Sequence, residues 1–160
     1  MVSVQVLCVG KLKEKHFAAA CDEYSKRLKG FCRLTVTELP EQRLPDDPAP
    51  AQVEAALARE AEAILARLPK GGKVVALCVE GDLLSSPQLA GRLAGWMVEG
   101  TSQLTFLIGG SFGLHPSVKA AAHLHLSMSP MTFPHHLARV MVLEQLYRAF
   151  QINAGTRYHK

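Results

Sequence analysis

Beyond residue 100 the chain carries a single acidic side chain, Glu144. A Ser-His-Asp triad built within that part is thereby excluded, and Ser111 does not sit in a G-x-S-x-G turn. Long apolar runs are missing too: none approaches the roughly 18 to 20 residues of a membrane span. The opening Met1-Val2-Ser3-Val4-Gln5-Val6 has neither the basic region nor the long apolar core of a secretory signal, so a cytoplasmic protein without membrane attachment is expected. The four cysteines, Cys8, Cys21, Cys32 and Cys78, form no C-x-x-C pair and have no matching histidine spacing for zinc. Buried thiols and no metal are expected. There is no internal repeat and no low-complexity segment. With 48% hydrophobic and 20% charged residues over 160 positions, disordered, fibrous and multidomain readings drop out in favour of one globular domain, residues 1–160.

Nucleotide motifs fail for stated reasons. Gly71-Gly72-Lys73 lacks the leading glycine and the following Ser or Thr of a phosphate-binding P-loop. A Rossmann fingerprint would need glycine at 108, which is Ile, and an acidic residue about 20 positions later, which is absent.

What is present begins with charge. Residues 1 to 100 hold 13 basic and 13 acidic side chains, whereas residues 101 to 160 hold Lys119, Arg139, Arg148, Arg157 and Lys160 against Glu144, which accounts for the whole net charge of +4. Six of the seven histidines, His115, His123, His125, His135, His136 and His159, are in that part as well. A smaller basic cluster, Lys11, Lys13, Lys15, Lys26, Arg27, Lys29 and Arg33, lies near the start. This asymmetry suits a polyanionic partner such as nucleic acid, and it also suits a solvated surface that happens to be basic.

Hydrophobic spacing alternates between two periods. Val2–Val9 reads as a strand ended by Gly10, His16–Leu28 as an amphipathic helix closed by Gly30, and Leu34–Leu39 as a second strand. After the proline-rich loop from Pro40 to Pro50, a helix over 51–68 is stopped by Pro69 and Gly71-Gly72. Lys73–Val79 is a strand apolar on both faces, followed by a turn at Glu80-Gly81 and a helix from Pro87 to Glu99. Leu104–Ile108 is a buried strand, 116–122 a short helix opened by Pro116, His123–Met128 a last strand and His136–Ile152 a last helix before a polar tail. Strand then helix, five times, is the α/β class: a mostly parallel sheet with helices on both faces.

Two features carry candidate function. Gly109-Gly110-Ser111-Phe112-Gly113 follows a buried strand, where open α/β sheets bind ligands and where backbone approaches closely without a Cβ. The last helix, with Leu137, Val140, Met141, Val142, Leu143, Leu146, Tyr147, Phe150 and Ile152, has few polar positions. It is expected to be covered on more than one side, by a second copy of the chain or by full burial within one. Glu144 and Arg148 are spaced for a local ion pair, which gives Arg148 a structural reading.

Leu107–Leu114, Met131-Thr132-Phe133-Pro134-His135, Glu144–Phe150 and the terminal Tyr158-His159-Lys160, together with Val9–Lys13, closely resemble the RlmH family, essentially end to end. The family consists of SPOUT-class, S-adenosylmethionine-dependent methyltransferases of large-subunit ribosomal RNA. The resemblance implies a C-terminal deep trefoil knot, with a cofactor-binding part over about residues 73–160. It implies a homodimer that methylates ring nitrogen 3 of pseudouridine 1915 in helix 69 of 23S rRNA, on the assembled ribosome and without a metal. It places the cofactor against Leu77, Gly109, Met128, Ser129, Pro130, Met131, Thr132 and Phe133, which otherwise read as core, turn and connection. It makes Arg148, Tyr158 and His159 candidates for substrate positioning, with the tail beside the cofactor and across the dimer. His135 is a weaker candidate, with a helix cap or packed side chain as its other reading. The proton acceptor is left open between a side chain and solvent. A SPOUT methyltransferase of another RNA nucleotide and a non-catalytic ribosome-binding factor are the alternatives.

Overall fold

A computed structural model describes residues 1–160. Its elements, in chain order, are β1 (Ser3–Val9), α1 (Lys15–Leu28), β2 (Arg33–Leu39), α2 (Pro50–Arg67), β3 (Lys73–Leu83), α3 (Ser86–Val98), β4 (Gln103–Ile108), α4 (Pro116–Ala120), β5 (Leu124–Ser127) and α5 (His135–Asn153). All five strands are parallel, in the order β2-β1-β4-β3-β5.

Alternation along the strands assigns the two faces. On one face Val4, Val6 and Cys8 of β1, Val75 of β3, and Leu104 and Phe106 of β4 pack against α1, α3 and α5. On the other, Leu7 and Val9, Val74 and Ala76, and Leu107 pack against Ala61 and Ile64 of α2 and Val118 of α4. Steps from β1 to β2 and from β3 to β4 use helices on the first face, and the opposite steps, β2 to β3 and β4 to β5, use helices on the second. One crossover hand is thereby kept throughout. Capping follows local sequence: Ser85 accepts from the Gln88 amide and Gln88 returns the bond to Ser85, so α3 starts with a reciprocal cap before Pro87.

One expectation changes, and one left open acquires its setting. The turn at Glu80-Gly81 is instead part of β3, which continues to Leu83 with a break in register: Leu126 faces Leu77 and then Asp82. Gly81 permits this, since a Cβ there would lie 2.7 Å from the His125 carbonyl group. The apolar α5, for which the sequence left open a second copy or burial within one chain, is covered largely by its own chain. It packs beside α1 and α3, and no residue from His135 to Ile152 is exposed in the single chain.

One buried charge joins the layers. Arg139 of α5 is 3% exposed and donates from Nη1 to Glu38 Oε2 at 2.7 Å and from Nη2 to the Gly10 carbonyl at 3.1 Å. The same Glu38 oxygen accepts the Leu12 amide at 3.0 Å. Burial alone would push the Glu38 carboxyl up, but the Arg139 and Leu12 donors hold it below the usual range. Arg139→Met is expected to cost about 3 kcal/mol in urea unfolding, because two charge-assisted bonds are lost. Since the folded carboxyl titrates below its unfolded value, its stabilisation is present above pH ~4.3 and disappears as pH falls through the folded value. The variant should therefore lose less stability than the parent between pH 5 and pH 3, and equal acid losses would contradict this assignment.

Candidate functional site

Parallel strands end together, and the loops that leave them enclose a cavity of about 830 Å³. Its wall is made by Leu77–Glu80 from the irregular stretch of β3, Ile108–Leu114 after β4, Leu126–Ser129 at and after β5, Met131–Pro134, and His135 and Ala138 from the first turns of α5. The chain leaves β3 for α3 on one face and β4 for α4 on the other, and such divergence between neighbouring strands opens a crevice at their carboxyl ends.

The glycine turn is held by contacts that need small residues. A Cβ on Gly109 would lie 2.5 Å from the Gly113 carbonyl oxygen and 2.6 Å from its carbon, backbone atoms that cannot swing away. The requirement is close approach, since Gly109 has no positive φ; Gly113 does, at 81°. Gly110 and Gly113 bridge each other, and Glu41, reaching from the loop after β2, accepts the Ser111 amide at 3.0 Å. Beside it stands His135, which burial and the adjacent His136 hold below its ordinary titration range against the opposing pull of Glu41. A neutral imidazole, able to accept a hydrogen bond, thus faces the cavity at neutral pH. Lys119 and Glu80 pair at the opposite wall, and the lysine holds the Glu80 carboxyl below its usual range.

Of the eight cofactor positions expected from the sequence, Leu77, Gly109, Met128, Ser129, Met131, Thr132 and Phe133 line this one cavity, and Pro130 does not. Arg148, Tyr158 and His159 do not line it either. They meet one another elsewhere: Arg148 Nη1 is 3.2 Å from His159 Nδ1, and its guanidinium stacks 4.8 Å from the Tyr158 ring. Both are anchored on Glu144, with bonds of 2.6 and 3.0 Å from Arg148 and 3.2 Å from the Tyr158 hydroxyl. Burial and Glu144 push the Tyr158 phenol up, so it stays a donor. Glu144 and Gln145 border a second cavity of about 430 Å³, which shares Leu126, Ser127 and Met128 with the first.

Other sequence signals acquire local partners. His115 Nδ1 accepts the Ser117 amide and its Nε2 meets Glu54 at 2.8 Å, His123 accepts the Val74 amide, and His125 binds the Lys119 carbonyl. Cys8, Cys21 and Cys32 are buried, with Cys8 pushed up to about 12 and Cys32 to about 11 by burial, while the half-buried Cys78 lines the main cavity. Glu41, Cys78, Glu80 and Lys119 were not among the expected site residues. An isolated glycine at 81 inside an apolar strand was a usable sign of the irregularity that brings Cys78 and Glu80 to the wall. Glu41 had no local sign, being 70 residues from the amide it binds.

Residues 2–159 match the family model described as "Predicted SPOUT methyltransferase". The chain is 48% identical to "Ribosomal RNA large subunit methyltransferase H" of Bifidobacterium animalis subsp. lactis, over 99% of this chain and 100% of that protein. It is 44% identical to the protein of the same description from Moorella thermoacetica, with all of both chains covered. Among solved structures, a protein described as a methylase family member from Neisseria gonorrhoeae superposes with a TM-score of 0.58 at 14% identity, covering 99% of this chain and 87% of that one. A methyltransferase from Legionella pneumophila, solved with SAM, gives 0.52 at 10% identity, covering 95% and 66%. At these identities the two structures speak for the fold.

Gly109 and Gly110 should respond differently to the same added methyl. Gly109→Ala drives a Cβ into the Gly113 backbone and is expected to cost roughly 1–3 kcal/mol. Gly110→Ala meets the movable end of Glu41 and should cost less than about 1 kcal/mol. Thermal unfolding of both variants checks the order, and a reversed order would mean that Gly109 is not the close-packed position.

Proposed function

Because this chain belongs to the SPOUT methyltransferase family, we propose that it transfers a methyl group from S-adenosylmethionine to large-subunit ribosomal RNA. Its acceptor in this reading is ring nitrogen 3 of pseudouridine 1915 in helix 69 of the assembled ribosome, in the cytoplasm. The observation that carries the reading is the convergence of seven of the eight expected cofactor positions on one cavity. Relatives named as ribosomal RNA large subunit methyltransferases, 48% and 44% identical along their whole length, support the substrate class.

The residues present fit an adenosine bearing a charged amino-acid tail. Leu77, Ile108, Leu126, Met128 and Phe133 offer apolar walls, and the glycine turn removes side chains where backbone must approach. The first turn of α5, with amides that lack helical partners, favours an electron-rich group. The cofactor supplies a methyl group on a positively charged sulfur, so no metal is assigned a part. The protein's task is to hold the acceptor nitrogen in line and to exclude misaligned approach. Methyl transfer forms the nitrogen–carbon bond, breaks the carbon–sulfur bond and releases the ring proton to a side chain or to solvent.

Arg148, Tyr158 and His159 are assigned to positioning the substrate from behind Glu144, the carboxylate that Arg148 and Tyr158 share and that lines the second cavity, which adjoins the first through Leu126–Met128. An aromatic ring, an imidazole and a guanidinium suit stacking on a base and contact with phosphate. The reading includes the homodimer. Its support lies at the cavity mouth, where Val79, Phe112 and Met131 are exposed, and at Leu83 beyond the β3 irregularity. It also includes residues 1–160 as one domain and the knot over about 73–160, supported by the return of α5 from β5 to a place against α1 and α3.

Incubation of the protein with labelled S-adenosylmethionine and ribosomes lacking the modification should label one pseudouridine, located by mapping the modified nucleotide. Label on another nucleotide, or none, would overturn the assignment. Deletion of residues 158–160 should leave folding and dimerisation nearly unchanged while lowering transfer at least about tenfold, equivalent to ~1.4 kcal/mol of transition-state stabilisation. Full activity in the truncated protein would remove the tail from the site. Light scattering at micromolar concentration should report twice the chain mass, and an active monomer would sink the dimer.

A further inference from the structure

The tertiary structure redistributes the positive charge that the sequence concentrates after residue 100. Lys119 is paired with Glu80, Arg139 with Glu38 and Arg148 with Glu144, so three of those five cations are neutralised. Free cations near the main cavity lie instead at Lys11 and Lys13, in the segment joining β1 to α1, and at Lys15, the first residue of α1. Exposure alternates there: Lys11, Lys13 and Lys15 are exposed while Leu12 and Glu14 turn inward. None of the three lysines lies within ion-pair distance of a carboxylate, whereas Glu14 is turned toward His136, 3.8 Å away.

The segment is held at both its near end and its middle. Arg139 grips the Gly10 carbonyl, and Glu38 accepts the Leu12 amide. Gly10 is also adjacent to the cavity wall, since a Cβ placed on it would lie 3.7 Å from Nε2 of His135. Alternate residues of an extended segment are about 6.6 Å apart, a step comparable to that between successive phosphates of a nucleic-acid strand. Three exposed lysines therefore follow closely on Gly10, which adjoins the wall of the cavity that the proposed function assigns to methyl transfer, on backbone anchored at Gly10 and Leu12.

We propose that Lys11, Lys13 and Lys15 form a phosphate-binding ridge that holds the RNA backbone while the target base enters the neighbouring site. The inference rests on the RNA-methyltransferase reading for its partner, and it assigns the sequence-independent part of the affinity to a surface outside the cavity. The arginines of α5 are committed to carboxylates, and the ridge does the work that net charge by itself appeared to give to the C-terminal region.

Binding of the full-length protein to ribosomes, measured as a function of salt, tests the ridge. The Lys11→Gln, Lys13→Gln, Lys15→Gln triple variant is compared with Lys26→Gln, Lys29→Gln, Lys70→Gln, which removes equal charge at the opposite ends of the strands. The ridge variant should bind at least about tenfold more weakly at physiological salt, with a slope of log affinity against log salt shallower by about 2 to 3. The second variant should stay near the parent, and calorimetry with S-adenosylmethionine should give the same affinity for all three proteins. An unchanged slope in the ridge variant, an equal loss in the second variant, or no ribosome binding by the parent overturns the ridge. Parent protein that binds ribosomes in a ridge-dependent way but transfers no methyl group overturns the enzymatic reading and leaves the ridge standing.

Discussion

The placing of α5 against the carboxyl ends of β1 and β2 depends on Arg139. Its guanidinium is buried where α5 crosses the ends of β1 and β2, and a buried charge is tolerable only when paired and hydrogen-bonded. Glu38 and the Gly10 carbonyl meet that need at Nη1 and Nη2, with Nε left without a partner, and in doing so they fix three separate pieces of chain. The last helix is set against the sheet, which places His135, one turn earlier, at the cavity wall. The segment after β1 is tied at Gly10 and Leu12, and the carboxyl end of β2 is held beside it. A hydrophobic residue at 139 could fill the same space, but it would specify none of these relative positions.

The cavity itself is made by departures from regular structure. Close packing inside the sheet leaves no room for a ligand, so space appears where strands stop or break register. The four residues between Leu77 and Asp82 leave the ladder of β3 with β5, and three of them, Cys78, Val79 and Glu80, become one wall. The approach of Gly109 to Gly113 shapes another, and the connection from Met128 to Pro134 forms a third. Each departure is marked by glycine or proline, yet each also needs a distant partner: Gly81 works because His125 is next to it, and the glycine turn is tied by Glu41.

Electrostatics follow the same pattern of distant completion. Coulomb attraction in a partly buried setting favours pairing between charges that the chain separates by scores of residues, and Glu38, Glu54 and Glu80 all reach partners in the last 60 residues. The histidine-rich, acid-poor C-terminal region is therefore less charged in the folded protein than along the chain. Most of its histidines satisfy backbone groups or neighbouring side chains at element ends. Free positive charge remains at Arg157 and Lys160 in the tail and at Lys11, Lys13 and Lys15 near the start of the chain.

The sequence by itself determined the ten elements, their order and the parallel α/β class, because periods of 2 and 3.6 and the Gly and Pro stops are local properties of the chain. It also determined the glycine turn, and the family resemblance named eight positions, of which all but Pro130 line one cavity. What only the tertiary structure decided involves two or more distant segments. The strand order, the extension of β3 through Glu80-Gly81, the clamp of Arg139 on Glu38, and Glu41 on the glycine turn leave no periodic trace. The setting of Arg148, Tyr158 and His159 belongs here too: the spacing of Glu144 and Arg148 foretold their ion pair, but the docking of the tail on that pair came from packing. So does the covering of α5, whose apolar surface demanded partners without naming them. Hydrophobicity is a property of one segment and has no direction, whereas the identity of a neighbour is a property of the packed chain.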